Sequence, residues 1–324
     1  MAKKPFGYAW LEGVAQEMRA NKSVCYIGQL NIPTSTLPTG EVIDLAKEFG
    51  TVRTVRAPID EDLNVNMSIG AAMAGLKMVA AIPSMVPHWG LEFIHNQAGS
   101  LRLMTGGQAN TSFVLIVQGA SRVGGPAAQH VIVGAEAAYA TLPGIKVVVP
   151  SDAYNGKGLM VAAIRDADPV MFVSYSEVGS TAPVEVPDEA YTVEIGKAKV
   201  RQEGKDLTLV AWAPATIDVN KALPEIAKAG VNVEFIDLQS IKPLDTATLF
   251  ASVKKTGRML VVEHGPYVGF SSHVISEVAQ FVPGAKLRKI TFPDAPGPGA
   301  KEMIEWMRPD APKILDAAVK MMTI

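Results

Sequence analysis

The sequence is short of several things, and each shortage excludes a class of protein. It has one cysteine, Cys25, in 324 residues, so the chain alone can build neither an intramolecular disulfide nor a thiolate metal cluster. Cys25 lies in the apolar run from Ser23 to Gly28, where a buried strand thiol is expected rather than a nucleophile. Charged residues make up only 19%, and 30 Lys+Arg against 32 Asp+Glu leave a net charge of −2. No basic run exceeds two residues, as at Lys3-Lys4 and Lys254-Lys255. Nucleic-acid or anionic-membrane binding needs a concentrated cationic excess, and neither partner is expected. No uninterrupted apolar stretch reaches the roughly 18 residues of a spanning helix. The opening MAKKPFGYAW lacks the apolar run of a secretory leader. The expectation is a cytoplasmic protein.

Common nucleotide and hydrolase signatures are absent too. There is no GxxxxGK[ST] loop, and no GxGxxG opens a helix after a strand. Ser121 sits in GASRV, which lacks the second glycine of a nucleophile elbow. The stretch PGPGAKE at 296–302 reads as a proline-rich turn and cap. The chain offers no evident cradle of its own for a diphosphate. With 48% hydrophobic residues it is not disordered; the surplus points to a large core or an extensive subunit interface.

What is present is an alternation of short β-branched runs with helical patterns. Strands are expected at Val24–Gly28, Val52–Arg56, Met78–Pro83, Phe113–Gln118, Lys146–Val149 and Val170–Tyr175, then at Leu207–Trp212, Val231–Asp237, Met259–Glu263 and Lys286–Thr291. Helices are expected between them, including 6–21, 41–49, 65–76, 88–104 and 130–141. This is the pattern of parallel sheets covered on both faces. The fold class is α/β, with two open, mainly parallel-sheet domains bearing helices on both faces. From Glu177 to Gly204 the chain turns polar and extended, with Pro183 and Pro187, and reads as a linker. The expected domains are 1–190 and 191–324.

Three groups of residues could carry chemistry. Asp60-Glu61-Asp62 precedes the helical stretch NMSIGAAMAGL. Three carboxylates at a helix entry suit the helix dipole, and capping alone accounts for them. The other reading is a carboxylate held in a cleft, where like-charged neighbours keep it partly protonated. Gly70, Ala71, Ala72, Ala74 and Gly75 let a second backbone or a cofactor approach that helix closely. His130 ends GGPAAQH, a Gly-rich loop after a strand, where open α/β sheets place ligands. It is an acid–base candidate or a solvent-facing helix-start histidine. His88, Glu92 and His95 share a helical face, either a polar stripe at a cleft or a metal face of non-standard spacing. Glu263-His264-Gly265 ends a strand and reads as a polar strand end at the surface or as part of an interface or pocket.

Taken in order, RAPIDEDLNVNMSIGAAMAGLKMVAA, LMTGGQ, GGPAAQH, LPGIKVVVPSDAYNGKGLMVAAIRDADPVMF, DLQSIKPLD and TGRMLVVEHG resemble one protein type over nearly the whole chain. That type is the beta subunit of the thiamine-diphosphate-dependent decarboxylating component of 2-oxo-acid dehydrogenase complexes (pyruvate, branched-chain and acetoin types), within the transketolase-like class. The resemblance implies a pyrimidine-binding domain followed by a transketolase C-terminal domain. It implies an alpha partner that carries the diphosphate and Mg²⁺ motif, in an α₂β₂ assembly whose active sites lie at alpha–beta contacts. It further implies a small carbonyl substrate and a lipoyl acyltransferase as acceptor. Glu61 matches the glutamate that hydrogen-bonds the cofactor's aminopyrimidine, favouring the imino tautomer that takes the thiazolium proton. His130 matches the active-site histidine that moves protons near the bound intermediate. Met85 falls where an aromatic residue packs on the aminopyrimidine, and His88 belongs to the same cofactor-facing segment. The chain departs from the pattern at Asp60, where Ser or Thr is usual, and at Leu63-Asn64, where a glycine is usual. A split transketolase or a lyase would share these features, and a non-catalytic assembly subunit would keep the fold.

Overall fold

The computed structural model describes residues 2–29, 31–82, 90–119 and 134–324. Its strands in chain order are β1 (Ala2–Lys4), β2 (Val24–Gln29), β3 (Thr34–Thr36), β4 (Val42–Asp44), β5 (Thr54–Ala57), β6 (Lys77–Ile82), β7 (Val114–Gly119), β8 (Lys146–Val148) and β9 (Val170–Tyr175). They continue with β10 (Val184–Val186), β11 (Lys199–Gln202), β12 (Leu207–Ala211), β13 (Val233–Asp237), β14 (Ser240–Lys242), β15 (Arg258–Val262) and β16 (Lys286–Ile290). Two sheets dominate. The larger has the order β14-β8-β9-β7-β6-β2-β5, and the smaller β11-β13-β12-β15-β16. All neighbours are parallel except at one edge of each sheet, where β14 runs antiparallel to β8 and β11 antiparallel to β13.

The reason is visible in the side chains. Strands β2, β12 and β13 are buried at every residue, as both-face coverage by crossover helices requires. Helices Phe6–Ala20 and Ala153–Arg165 pack together on the larger sheet. Between them Glu12 accepts from two buried ammonium groups, Lys4 at 2.7 Å and Lys157 at 2.8 Å. In the second half, helices Ala215–Lys228 and Ala311–Met321 cover one face of the smaller sheet around Leu209, Phe235 and Leu260.

Several expectations are corrected. The expected helix at 41–49 divides into β4 and a helix starting at Leu45, because Asp44 caps that helix by accepting from Lys47 N at 3.0 Å. After a break at Gly50, whose φ is +70°, a further helical turn reaches Arg53, so the next strand starts at Thr54, not Val52. Among the described residues, the expected helix at 88–104 consists of Leu91–Phe93, a π-helical turn at Ile94–Gly99 and Leu101–Met104. Gly99 there meets the turn at Pro143-Gly144 backbone to backbone: a Cβ on Gly144, whose φ is +75°, would lie 1.9 Å from Gly99 O. The segment expected as a linker is packed chain. Its β10 pairs with β1 and its β11 joins the smaller sheet, while Val193 and Tyr191 press on Gly158. The two halves also share a sheet, since β14 comes from the second half and completes the edge of the first. No helix among the described residues is long and apolar enough to cross a membrane.

Candidate active site

Chain order in the larger sheet runs from β2 outward to β5, then back past β2 to β6 and β7. Strand order therefore reverses beside β2, and open α/β sheets bind ligands beyond the carboxyl ends of the strands at such a point. A cavity of about 480 Å³ lies there, lined by Tyr26, Gly28, Gln29 and the turn from Asn31 to Thr34, with Ala81 of β6 and Gln118 of β7. Gln29 is 6% exposed, and both polar atoms of its side chain are buried without a hydrogen-bond partner among the described residues. An unsatisfied buried amide costs on the order of 1–3 kcal/mol, which a bound ligand or water could repay. Sequence reasoning passed over Gln29; its one signal is a polar side chain closing an otherwise apolar strand.

The acidic triplet follows β5 at the same edge, and the structure divides its duties. Asp60 is the N-cap of the helix Glu61–Met73, with φ −163° and ψ 103°, and its carboxylate accepts from Leu63 N at 2.9 Å. Asn64 Nδ2 donates to Asp60 O at 2.6 Å, so the residues departing from the family pattern here build the cap. Asp62 accepts from Gly90 N at 2.5 Å and anchors the start of the next described segment. Glu61 is 7% exposed, and its carboxyl group makes no hydrogen bond or ion pair with any described residue. The capping account of the triplet thus belongs to Asp60, and Glu61 is a buried carboxyl group that no described residue engages. His130, Met85 and His88 lie outside the described residues. Glu92 and His95 are exposed, and no group of three potential metal ligands occurs among the described residues.

The surface reading of Glu263 and His264 is corrected, because both are buried. Glu263 directly follows β15 and accepts from the first amides of the helix Phe270–Phe281, Phe270 N at 3.0 Å and Ser271 N at 2.9 Å. Burial pushes its carboxyl group up to about 7 against those two donors, with Glu136 adding like-charge repulsion. Glu136 accepts from Trp212 Nε1 at 2.9 Å and from the Tyr175 hydroxyl; burial raises its pKa too, against both bonds. It therefore ties the helix Ala135–Ala140 to the second half of the chain. Gly134, with φ +81°, seats the start of that helix on the same loop: a Cβ there would lie 2.6 Å from Pro266 Cδ. Sequence reasoning did not single out Glu136, a lone carboxylate in the apolar run AEAAYA.

Comparison with known proteins agrees with this arrangement. The family model described as transketolase, pyrimidine binding domain, matches residues 6–177, and transketolase, C-terminal domain, matches 196–314. The chain is 37% identical over 287 residues to the mitochondrial pyruvate dehydrogenase E1 component subunit beta of Drosophila melanogaster, covering 86% of this chain and 78% of that protein. It is 32% identical over 328 residues to the acetoin:2,6-dichlorophenolindophenol oxidoreductase subunit beta of Cupriavidus necator, covering 96% and 95%. Among solved structures, a split-gene transketolase described as an inactive beta4 tetramer superimposes with a TM-score of 0.82 over 99% of both chains at 20% identity, which speaks to the fold. The chain belongs to the family of thiamine-dependent 2-oxo-acid dehydrogenase E1 beta subunits, built from a transketolase-type pyrimidine-binding domain and a transketolase C-terminal domain.

Proposed function

We propose that the chain works with an alpha-type partner, as α₂β₂, to cleave the carbon–carbon bond next to the carbonyl of a 2-oxo acid or an acetoin-like ketone. The acyl group then passes to the lipoyl group of an acyltransferase. The observation that carries this reading is Glu61, a buried carboxyl group released from capping by Asp60 and engaged by no described residue at the carboxyl edge of the sheet. The residues here fit the pyrimidine half of thiamine diphosphate. Glu61 supplies a carboxyl group to bond a ring nitrogen, and the unsatisfied amide of Gln29 lines a cavity at the same edge. The diphosphate and Mg²⁺ are assigned to the alpha partner, since this chain has no phosphate-binding motif.

When bound, thiamine diphosphate supplies a nucleophilic thiazolium carbon and an electron sink. Glu61 would hold a ring nitrogen of the pyrimidine by its carboxyl group and so favour the imino tautomer, and its burial would keep water from that carboxyl group. His130 is assigned proton movement at the substrate oxygen, and Met85 and His88 the flank of the ring. The boundary between the domains is placed at residues 190 and 191. The test is acyl transfer: the reconstituted alpha–beta pair, supplied in turn with pyruvate, a branched-chain oxo acid and acetoin, should acylate a lipoyl domain. Ketose-to-aldose transfer without lipoyl acylation would replace this reading with a split transketolase. Release of free aldehyde alone would replace it with a lyase.

A further inference from the structure

Strand β2 closes on Gln29, whose main chain and side chain are treated differently by the fold. The main chain is fixed. Asn31 N donates to Gln29 O at 2.6 Å, and the turn folds back so closely that a Cβ on Gly28 would lie 2.3 Å from Asn31 O. The carboxamide, in contrast, has its donor and its acceptor buried and unpaired among the described residues, on the wall of the cavity of about 480 Å³. An apolar side chain of the same length would remove that cost, so a carboxamide kept here points to a use for it.

Strand register brings Gln29 to the neighbourhood of Glu61. Gln29 pairs with Ala57 across the parallel β2–β5 ladder, where neighbouring strands lie about 4.8 Å apart. Glu61 follows Ala57 by four residues and opens a helix that packs on β2 and β6. One turn on, the same buried face carries Asn64, whose Oδ1 is also buried and unpaired among the described residues. The charged groups around this face are committed elsewhere or exposed. On the helix itself Asp60 accepts from Leu63 N and Asp62 from Gly90 N. Lys77 stands at the opposite end of β6 and donates to Ile164 O and Asp166 O. Arg56 of β5 is exposed, as are Glu92 and His95 after Gly90. β2 brings only Cys25 and Tyr26, and no carboxylate or cation.

We infer that Gln29 is a positioning residue for Glu61, its carboxamide holding the carboxyl group in either protonation state through water in the cavity. An amide suits a carboxyl group that gains and loses a proton. Its N–H donates to the ionised form, and its C=O accepts from the protonated one. A lysine in its place would pin the group ionised, and a second carboxylate would oppose ionisation. The cavity has ample room for water, and the amide, Asn64 Oδ1 and the carboxyl group supply it with partners. The inference deepens the role proposed for Glu61 and rests on it.

The first readout needs no cofactor. In the reconstituted alpha–beta pair, infrared difference spectra across pH follow the Glu61 carboxyl band, assigned by its loss in Glu61→Gln. Gln29→Glu should move the midpoint of that band upward by about one pH unit or more, because a second carboxyl group opposes ionisation of the first. Gln29→Met keeps the length without the hydrogen bonds. With thiamine diphosphate bound, it should slow exchange of the thiazolium C2 hydrogen by about tenfold, while calorimetric cofactor affinity and melting temperature stay close to wild type. A Glu61 midpoint unmoved in Gln29→Glu would overturn the inference. Loss of alpha–beta assembly in Gln29→Met would overturn it too, by assigning the amide to the subunit contact. Failure of the wild-type pair to bind thiamine diphosphate would sink the proposed function, and the cofactor-free titration would still decide whether Gln29 acts on Glu61.

Discussion

Glu263 offers a quantitative check on the junction between the two halves. Its carboxyl group is fully buried, and burial carries it from an ordinary 4.5 to about 7. A carboxyl group that titrates later in the folded than in the unfolded chain favours folding while it is protonated. Its contribution is complete below the unfolded value and is lost as pH rises through the folded one. A rise from 4.5 to about 7 corresponds to about 3 kcal/mol. Glu263→Gln keeps the shape but stays neutral, and its single carbonyl can accept from only one of the Phe270 and Ser271 amides. The variant should therefore be the less stable protein near pH 5, and its deficit should shrink by about 3 kcal/mol by pH 8. At about 2–4 °C per kcal/mol for a unit of this size, the gap between the melting temperatures should close by roughly 6–12 °C. Thermal melts of both proteins at matched scan rate, from about pH 5 to about pH 8, provide the assay. A melting gap that stays constant over that range would refute the reasoning, because Glu263 would then be ionised throughout in the folded protein, as it is in the unfolded chain.

Glu12→Ala removes the buried carboxylate between Lys4 and Lys157, leaving Lys4 to Asp188 and Lys157 to the Pro187 and Asp188 carbonyls, and should cost about 1–3 kcal/mol in denaturant unfolding; an unchanged stability would show that the cluster is solvated. Glu136→Gln leaves either the Trp212 N–H or the Tyr175 hydroxyl without its carboxylate oxygen. It should cost about 1–3 kcal/mol and shift the Trp212 fluorescence, whereas an unchanged spectrum and stability would mean that the bond does not form. Gly144→Ala adds a Cβ 1.9 Å from Gly99 O at a φ of +75° and should prevent soluble expression or lower the melting temperature sharply; wild-type melting would place that turn elsewhere.

The parallel core was readable in the sequence because a strand buried on both faces has an apolar signature of its own, as in VCYIGQ and VMFVSY. The sheet edges were not readable. β14 is three residues, Ser240–Lys242, whose strand character comes from pairing with β8 and not from any pattern within it. The same holds for β1 and β10, which define each other. At the site, three adjacent acids announced a helix entry, but which one capped depended on the extended backbone of Asp60, and that freed Glu61. Glu136 and Glu263 are 127 residues apart in the sequence, so nothing local joins them, and burial gives each a role that composition cannot show. Gln29 needed the fold for the same reason. Its isolation becomes visible only when β6 and β7 are placed beside β2.

The central claim is that the Glu61 carboxyl group activates thiamine diphosphate held between this chain and its alpha partner. Exchange of the thiazolium C2 hydrogen for deuterium, followed by quenched-flow NMR on the reconstituted pair, measures that step apart from substrate chemistry. With cofactor binding verified by calorimetry in both proteins, Glu61→Gln should slow the exchange by about 10²–10⁴-fold, the usual worth of a positioned acid–base group. Exchange at the wild-type rate in a Glu61→Gln pair that still binds the cofactor would contradict the account.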